Sequence, residues 1–201
     1  MKRANTNPDI ECLSFKKNKF FPNNELPVLL YRKAIEVPKQ KNVAAEIIQH
    51  IFIKNNWGNS WRNGIYNFHH YHSNTHEVLG ICSGNASVIL GGPGNRSIQL
   101  NPGDVLIIPA GVAHKCAKGS EDFLCVGGYP GGNDYDIYHG TAEEYEAAVE
   151  RIKKIAVPSK NPVFGKEGFI KAYWKSKNSN AKQAHSNKSA GDKTNTLRKQ
   201  V

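Results

Sequence analysis

The sequence predicts an all-β domain, a sandwich or barrel with a few helices outside the sheets. Two observations support this class. From Trp57 onward, short apolar segments recur at close intervals between turns rich in glycine and proline, which is typical of the strands in such folds. The length of 201 residues, with 39% hydrophobic and 22% charged residues, suits one domain with a proper core and is too short for two.

Residues 1–41 are expected to form strands and loops. Residues 11–15 alternate polar and apolar side chains, which predicts an edge strand, and the apolar run 28–31 predicts a second strand. Residues 43–55 then predict an amphipathic helix that lies against a sheet, with Asn42 as its N-cap. The apolar face of this helix contains Val43, Ile47, Ile48, Ile51 and Phe52.

Residues 42–140, which include this helix, are expected to form the sandwich or barrel. Further strands are predicted at 65–72, 77–83, 86–91, 97–100, 104–109, 113–117 and 123–129. If these strands close into a small barrel, one ligand can be held inside it, and a functional site is then expected within the barrel.

Residues 141–174 are expected to lie outside the barrel. Thr141 and Glu144 form a capping box at the start of a helix that ends before Pro158. The apolar stripe of this helix contains Tyr145, Ala148, Val149 and Ile152. The closing segment 161–174 is expected to cover the surface in extended form.

The basic character of the chain belongs to its end. The net charge is +10, and residues 171–201 hold eight lysines or arginines against one acid, Asp192. Residues 175–201 are polar and cannot bury enough apolar surface to offset the entropy of ordering, so we predict a disordered basic tail. Weak attraction to polyanions is the alternative, but no specific nucleic-acid site is expected.

We expect neither a membrane span nor a secretory signal. No apolar stretch approaches the ~20 residues of a membrane span, and no apolar segment follows the basic start of the chain. Four cysteines without paired spacing fit a reducing compartment. We therefore expect a cytoplasmic protein without membrane partners.

A histidine cluster predicts a metal site. In a strand, His70 and His72 face the same way, and the polar turn after them allows the chain to fold back and bring Glu77 to the pair. His114 opens a later strand and presents one more imidazole. Three imidazoles and one carboxylate suit a first-row transition metal, and they leave coordination positions for water or substrate.

The spacing around these residues resembles two sequence motifs of the cupins. Gly64, His70, His72, Glu77 and Gly84 match the first motif, and the second is matched by Gly103, Pro109, Gly111 and His114. The departure is Lys118, where the family often has an asparagine that does not bind the metal. The longer strings 61–80, 90–94 and 126–130 resemble the YjlB-like single-domain cupins, and the resemblance runs from about residue 10 to about residue 174.

The resemblance implies a double-stranded β-helix, or jelly-roll barrel, with two or three peripheral helices. It also implies one divalent transition metal inside the barrel: Fe, Mn, Ni or Zn. Cupins frequently pair, and the strand at 11–15 would suit a homodimer. The reaction of the YjlB-like subgroup is not established, so the substrate stays open.

Several assignments near the metal have alternatives. Glu77 could instead pair with Arg62 or act as an acid or base, and His76 is its rival, although adjacent strand residues face opposite ways. Tyr66 and Phe68 share strand parity with the histidines and are candidates for a substrate pocket or for plain core. Cys116 shares parity with His114 and is a pocket candidate or a buried thiol. His50, His139 and His185 receive no ligand role.

Three classes of function fit these features. The favoured one is a metal-dependent enzyme, of dioxygenase or isomerase type, acting on a small polar molecule. The second is a non-catalytic cupin module that binds a small molecule or metal, and the third is a structural protein stabilised by its metal. Turnover separates the first from the second, and an open coordination position separates both from the third.

Overall fold

The computed structural model describes residues 4–5, 7–95, 97–168 and 170–174. The elements in chain order are β1 Asp9–Leu13, β2 Val28–Arg32, α1 Lys41–Lys54, β3 Trp57–Asn63, β4 Glu77–Ser83, β5 Ala86–Leu90, β6 Ser97–Leu100, β7 Val105–Ile108, β8 His114–Gly119, β9 Leu124–Pro130, α2 Ala142–Ile152 and α3 Ile170–Tyr173. The predicted disordered tail, 175–201, lies outside the described residues. None of the helices in the described part of the chain has the length and hydropathy of a membrane span.

Two antiparallel sheets form the body of the molecule. One has six strands in the order β1-β2-β7-β4-β9-β3, and the other has three in the order β6-β5-β8. An apolar cluster formed by residues of both sheets fills the space between them. The predicted all-β jelly-roll fold is therefore confirmed, and β1 is an edge strand as expected.

The central strands of the six-stranded sheet are buried on both faces. Leu79 and Ile81 of β4 point between the sheets, whereas Val78 and Cys82 point to the opposite side. That outer side is covered by α1 and by the closing segment of the chain, which together form a second apolar cluster. This alternation decides which side chains at the start of β4 can enter the barrel.

Helix α1 packs closely on β4 but differs from its prediction at the start. It begins at Lys41 after Gln40, so the predicted N-cap Asn42 lies inside the helix. Val43 is 44% exposed, because the buried stripe is formed by Ala44, Ala45, Ile48 and Phe52. Ile48 and Phe52 lie over Gly80, where an added Cβ would be 2.5 Å from Ile48 Cγ2.

The predicted strand at 65–72 is wrong. Residues 57–63 form β3 instead and pair with β9, with Trp57 opposite Pro130 and Asn63 opposite Cys125. The edge of β9 is thus already occupied when the chain reaches residue 64, and the following segment crosses toward the other sheet. It forms the isolated bridges His70–His114 and Tyr71–Tyr138, and the carbonyls of Tyr66 and His72 accept single hydrogen bonds from Cys116 and Gly111.

Helix α2 begins with the predicted capping box. Glu144 Oε2 accepts a hydrogen bond from the Thr141 backbone N–H at 3.1 Å, and the stripe is buried most deeply at Ala148. The extended closing segment predicted at 161–174 is wrong, since it contains turns and the short helix α3. Trp174 is only 2% exposed and donates to the Pro27 carbonyl at 2.8 Å, because its ring completes the outer cluster.

Candidate metal centre

Three buried histidines converge at one end of the barrel. His70 and His114 exchange backbone hydrogen bonds of 3.1 and 2.9 Å, which places their rings side by side with centroids 4.1 Å apart. His72 lies close to both, with ring centroids 5.6 Å from each. One nitrogen from each ring can be chosen so that all lie within 4.8 Å of one another. The structure therefore brings together the three imidazoles that the sequence singled out.

Backbone carbonyls fix the tautomer of each ring. Nδ1 of His70 lies 3.1 Å from the Phe68 carbonyl, and Nδ1 of His114 lies 3.1 Å from the Val112 carbonyl. Nδ1 of His72 makes a short contact with the Asp136 carbonyl. Because a carbonyl oxygen only accepts, each Nδ1 carries the proton, and in the neutral ring the Nε2 lone pair is left for a metal.

Glu77 joins the histidines from the start of β4. Its position has the same parity as Leu79 and Ile81, so the carboxylate enters the barrel, where it is 3% exposed. Oε2 lies 3.1 Å from His114 Nε2 and 3.4 Å from His72 Nε2. Within the described part of the chain, no donor gives Oε2 a hydrogen bond of regular geometry.

The close approach of these groups determines their charges. Burial and the adjacent His114 lower the pKa of His70 to about 3, so this ring is neutral. Burial opposes protonation of His72 and ionisation of Glu77, yet their mutual attraction raises the pKa of His72, and both His72 and His114 hold the pKa of Glu77 well below its usual range. Negative charge on Glu77 therefore attracts a proton or a cation to this point.

A hydrogen-bonded chain orients the carboxylate. The Tyr129 hydroxyl donates to Glu77 Oε1 at 3.0 Å and accepts from Trp61 Nε1 at 2.9 Å. The Trp61 indole lies against Gly127, where an added Cβ would be 2.1 Å from the ring. Sequence reasoning missed Trp61 and Tyr129, although a glycine inside a strand pattern, as at Gly127, is a signal of close approach.

The structure does not support either alternative role, His76 in place of Glu77 or Arg62 as the partner of Glu77. His76 faces the opposite side of β4, where Nδ1 accepts from the Ala110 N–H at 3.0 Å and Nε2 lies 3.3 Å from the Ala156 carbonyl. Its ring lies 4.8 Å from that of Trp174. Arg62, the other candidate partner of Glu77, hydrogen-bonds Gln49 on α1 at 2.6 Å.

A cavity of about 150 Å³ opens beside these groups. Its lining is Trp61, Arg62, Asn63, Gly64, Ile65, Tyr66, His70, His72, Glu77, Leu79, His114, Tyr129 and Tyr135. Of the predicted pocket residues, Tyr66 belongs to this lining. Phe68 lies outside it and stacks on Tyr66 at 4.9 Å, and Cys116 packs on the apolar cluster between the sheets. Strand parity did not order Tyr66 and Phe68, because residues 65–72 are not a strand.

The donor set fits a divalent transition metal. Three imidazole nitrogens and one carboxylate oxygen are buried together, and this mixture of nitrogen and oxygen ligands is preferred by first-row ions. A neutral ring protonated on Nδ1 has no hydrogen on Nε2 to give to Glu77 Oε2, which lies 3.1 Å from His114 Nε2 and 3.4 Å from His72 Nε2. A cation between them would remove the cost of burying these groups unpaired.

Comparison with known proteins identifies the family to which this barrel belongs. A family model described as Cupin matches residues 55–129, and the chain belongs to the cupin family. At the level of individual proteins, the chain is 37% identical over 162 residues to the uncharacterized protein YjlB of Bacillus subtilis (strain 168). The match spans 77% of this chain and 94% of YjlB.

Solved structures with a similar barrel are more distant. Procruciferin, an 11S globulin from Brassica napus, is 20% identical over 57% of this chain and 23% of its own length, with a TM-score of 0.33. Acireductone dioxygenase from Bacillus anthracis, with cadmium in its active centre, is 18% identical over 51% of this chain and 62% of its own, with a TM-score of 0.31. A single-substitution variant of oxalate decarboxylase from Bacillus subtilis is 15% identical over 81% of this chain and 38% of its own, with a TM-score of 0.34.

Proposed function

We propose that this cupin binds one divalent transition metal, Fe, Mn, Ni or Zn, through His70, His72, His114 and Glu77. We further propose that it is a metal-dependent enzyme, of dioxygenase or isomerase type, acting on a small polar molecule. The observation that carries the proposal is the burial of three convergent imidazoles against a carboxylate oxygen that has no hydrogen-bond donor among the described residues. When bound, the metal supplies Lewis acidity to a ligand in the adjacent cavity.

The surrounding residues define what such a ligand can be. A cavity of about 150 Å³ accommodates a molecule of benzene-like size. Its walls combine the phenol groups of Tyr66 and Tyr135 with apolar side chains, and Tyr135 stacks on Tyr129 at 4.6 Å. Glu77 holds negative charge beside this space, which makes it the candidate acid or base as well as a ligand.

The metal assignment is tested by elemental analysis of protein purified without an affinity tag or chelator. We expect about one transition metal ion per chain, and we expect His72→Ala and His114→Ala to lose it. His76→Ala should keep most of the metal, since His76 faces away from the site, and His50→Ala on α1 serves as an exposed control. Loss of metal in the His76 variant alone would contradict the ligand set.

Catalysis is tested separately on the metal-loaded protein. Oxygen uptake or isomerisation with a library of small molecules, abolished by His114→Ala, would support the enzyme. Stoichiometric binding of ligands without turnover of any of them would favour the alternative, a non-catalytic small-molecule or metal-binding module.

Two broader properties are also proposed. We infer a homodimer, because β1 is an edge strand of the six-stranded sheet and can pair with a second copy. A monomeric mass in light scattering at micromolar concentration would contradict it. We infer cytoplasmic residence from the four free cysteines, Cys12, Cys82, Cys116 and Cys125, and cell fractionation tests this.

A further inference from the structure

His72 is oriented differently from the other two histidines. His70 and His114 each hydrogen-bond the carbonyl two residues before them, so their ring orientation is fixed within their own segments. The partner of His72 Nδ1 is the carbonyl of Asp136, which is 64 residues away and follows β9. The direction of the His72 ring therefore depends on how residue 136 is fixed in space.

The residues next to His72 bind the side chain of Asp136. The Ser73 backbone N–H donates to Oδ1 at 2.6 Å, and the Ser73 hydroxyl donates to Oδ2 at 2.5 Å. The Asp136 backbone N–H in turn donates to Asn74 Oδ1 at 3.1 Å. Asp136 is thus attached to the His72 segment by both its backbone and its carboxylate.

Arg151 connects this pair to α2. Its Nη1 donates to Asp136 Oδ2 at 2.9 Å, to Ser73 Oγ at 2.9 Å and to the Tyr138 hydroxyl at 3.0 Å. This one nitrogen therefore lies within hydrogen-bonding distance of three oxygens. It contacts both Asp136 and Ser73, the two residues whose hydrogen bonds attach the loop to the His72 segment. Removing it leaves Asp136 with fewer donors and frees the loop that carries the carbonyl.

Helix α2 also contacts the turn that precedes His114. Ile152, next to Arg151, packs on the turn before His114, where a Cβ on Gly111 would be 2.6 Å from Ile152 Cδ1. Gly111 has a φ of +86°, so this turn requires glycine for its backbone as well as for its contact with α2. Two of the three histidine segments are consequently braced by one helix.

We propose that Arg151 is a positioning residue for the metal centre, acting through Asp136 on the orientation of His72; this rests on the metal site proposed above. Arg151 and Asp136 side chains are 42% and 22% exposed, and an ion pair at such a surface contributes little to stability by itself. We expect the ion pair to act through geometry, because the group that hydrogen-bonds the second nitrogen of a ligating histidine fixes the direction of its ring.

The test is titration of the metal-free, full-length protein with Co²⁺, followed by the visible absorption of the bound ion. We expect Arg151→Ala to weaken Co²⁺ binding about 10- to 100-fold and to alter the absorption spectrum. Arg151→Lys, which keeps one donor, should recover part of the affinity. Lys154→Ala removes the same charge from an exposed position just after α2 and should bind Co²⁺ as the wild type does.

The outcomes separate this proposal from the one on which it rests. If the wild type binds no Co²⁺, the metal site itself is overturned. If the wild type binds and Arg151→Ala matches it in affinity and spectrum, only the positioning role is overturned, even where the variant melts at a lower temperature. Should Arg151→Ala fail to fold, Asp136→Asn replaces the carboxylate oxygen that accepts from Arg151 Nη1 with a second donor, and unchanged Co²⁺ affinity and spectrum in that variant overturn the proposal.

Discussion

At the scale of single residues, the partners of the ring nitrogens decide how each buried histidine responds to acid. His76 accepts a hydrogen bond from the Ala110 N–H on Nδ1 and places Nε2 near the Ala156 carbonyl, so it is a neutral ring between one donor and one acceptor. Protonation of Nδ1 would set two N–H groups against each other. Burial, partly offset by the Ala156 carbonyl, lowers the pKa of His76 from 6.5 to about 4.

This shift predicts acid sensitivity with a definite sign. Below pH 6.5, His76 binds a proton in the unfolded chain but stays neutral in the folded protein. Its contribution therefore lowers the free energy of unfolding as the pH decreases from 6.5 to about 4, where the folded protein also becomes protonated at His76. His76→Gln retains one acceptor and one donor without a titrating group. Between pH 7 and pH 5, it should lose about 2 kcal/mol less free energy of unfolding than the wild type, measured by urea denaturation with chelator present.

The comparison isolates His76 because other titrating groups are common to both proteins. His70, with a pKa of about 3, lowers stability over the same range in the wild type and in the variant. His50→Gln, on the exposed side of α1, should follow the wild type. Equal losses in the wild type and His76→Gln would show that His76 is protonated in the folded protein.

Residues of the candidate metal centre were predictable where each belongs to a short sequence motif, and this includes His114 in the second motif. His70, His72 and Glu77 lie within one short segment, and their spacing could be recognised without knowing the fold. Tyr129 and Asp136 act on them from more than fifty positions away, through contacts that exist only after β9 has paired with β4. No local pattern encodes such a pairing, which is why these partners were missed.

At the scale of elements, strands buried on both faces were the easiest to predict. The strand 77–83 was located correctly because its apolar run is bounded by turns, and β7 was found in the same way. β3 was missed because its sequence, WGNSWRN, is polar and its pairing shifts register between Gly58 and Trp61. The alternating aromatics at 66 and 68 were mistaken for part of a strand, although Tyr66 lines the cavity and Phe68 stacks on it from outside.

The contact between α1 and β4 provides a test at this scale. Gly80→Ala would place a methyl group 2.5 Å from Ile48 Cγ2 and 2.9 Å from Phe52 Cζ, so these side chains or α1 as a whole must shift. We expect the free energy of unfolding to fall by about 1–3 kcal/mol, as for other overpacked cores. Gly64→Ala is the matched control, because its added methyl group meets nothing within 4 Å and its stability should barely change. Equal stability of both variants in urea denaturation would contradict the close helix–sheet contact.

At the scale of the whole molecule, the outer apolar cluster joins parts of the chain that are far apart in sequence. It combines β2, α1 and the central strands with Val163, Ile170 and Trp174 from the closing segment. The end of the described chain therefore forms part of the core. Trp174 also contacts the ring of His76, the residue just before β4. Barrel and closing segment should unfold together as one unit.

Replacement of Trp174 tests whether the closing segment stabilises the barrel. Trp174→Ala removes a ring that is 2% exposed and leaves the Pro27 carbonyl without its 2.8 Å donor, so we expect a loss of about 3–5 kcal/mol in the free energy of unfolding. Tyr173→Ala, at a neighbouring side chain that is 41% exposed, should change it by much less. Urea unfolding of the wild type, followed by tryptophan fluorescence and by circular dichroism, should give coincident transitions. If Trp174→Ala costs no more than Tyr173→Ala, the closing segment does not stabilise the barrel, and the outer cluster ends at α1.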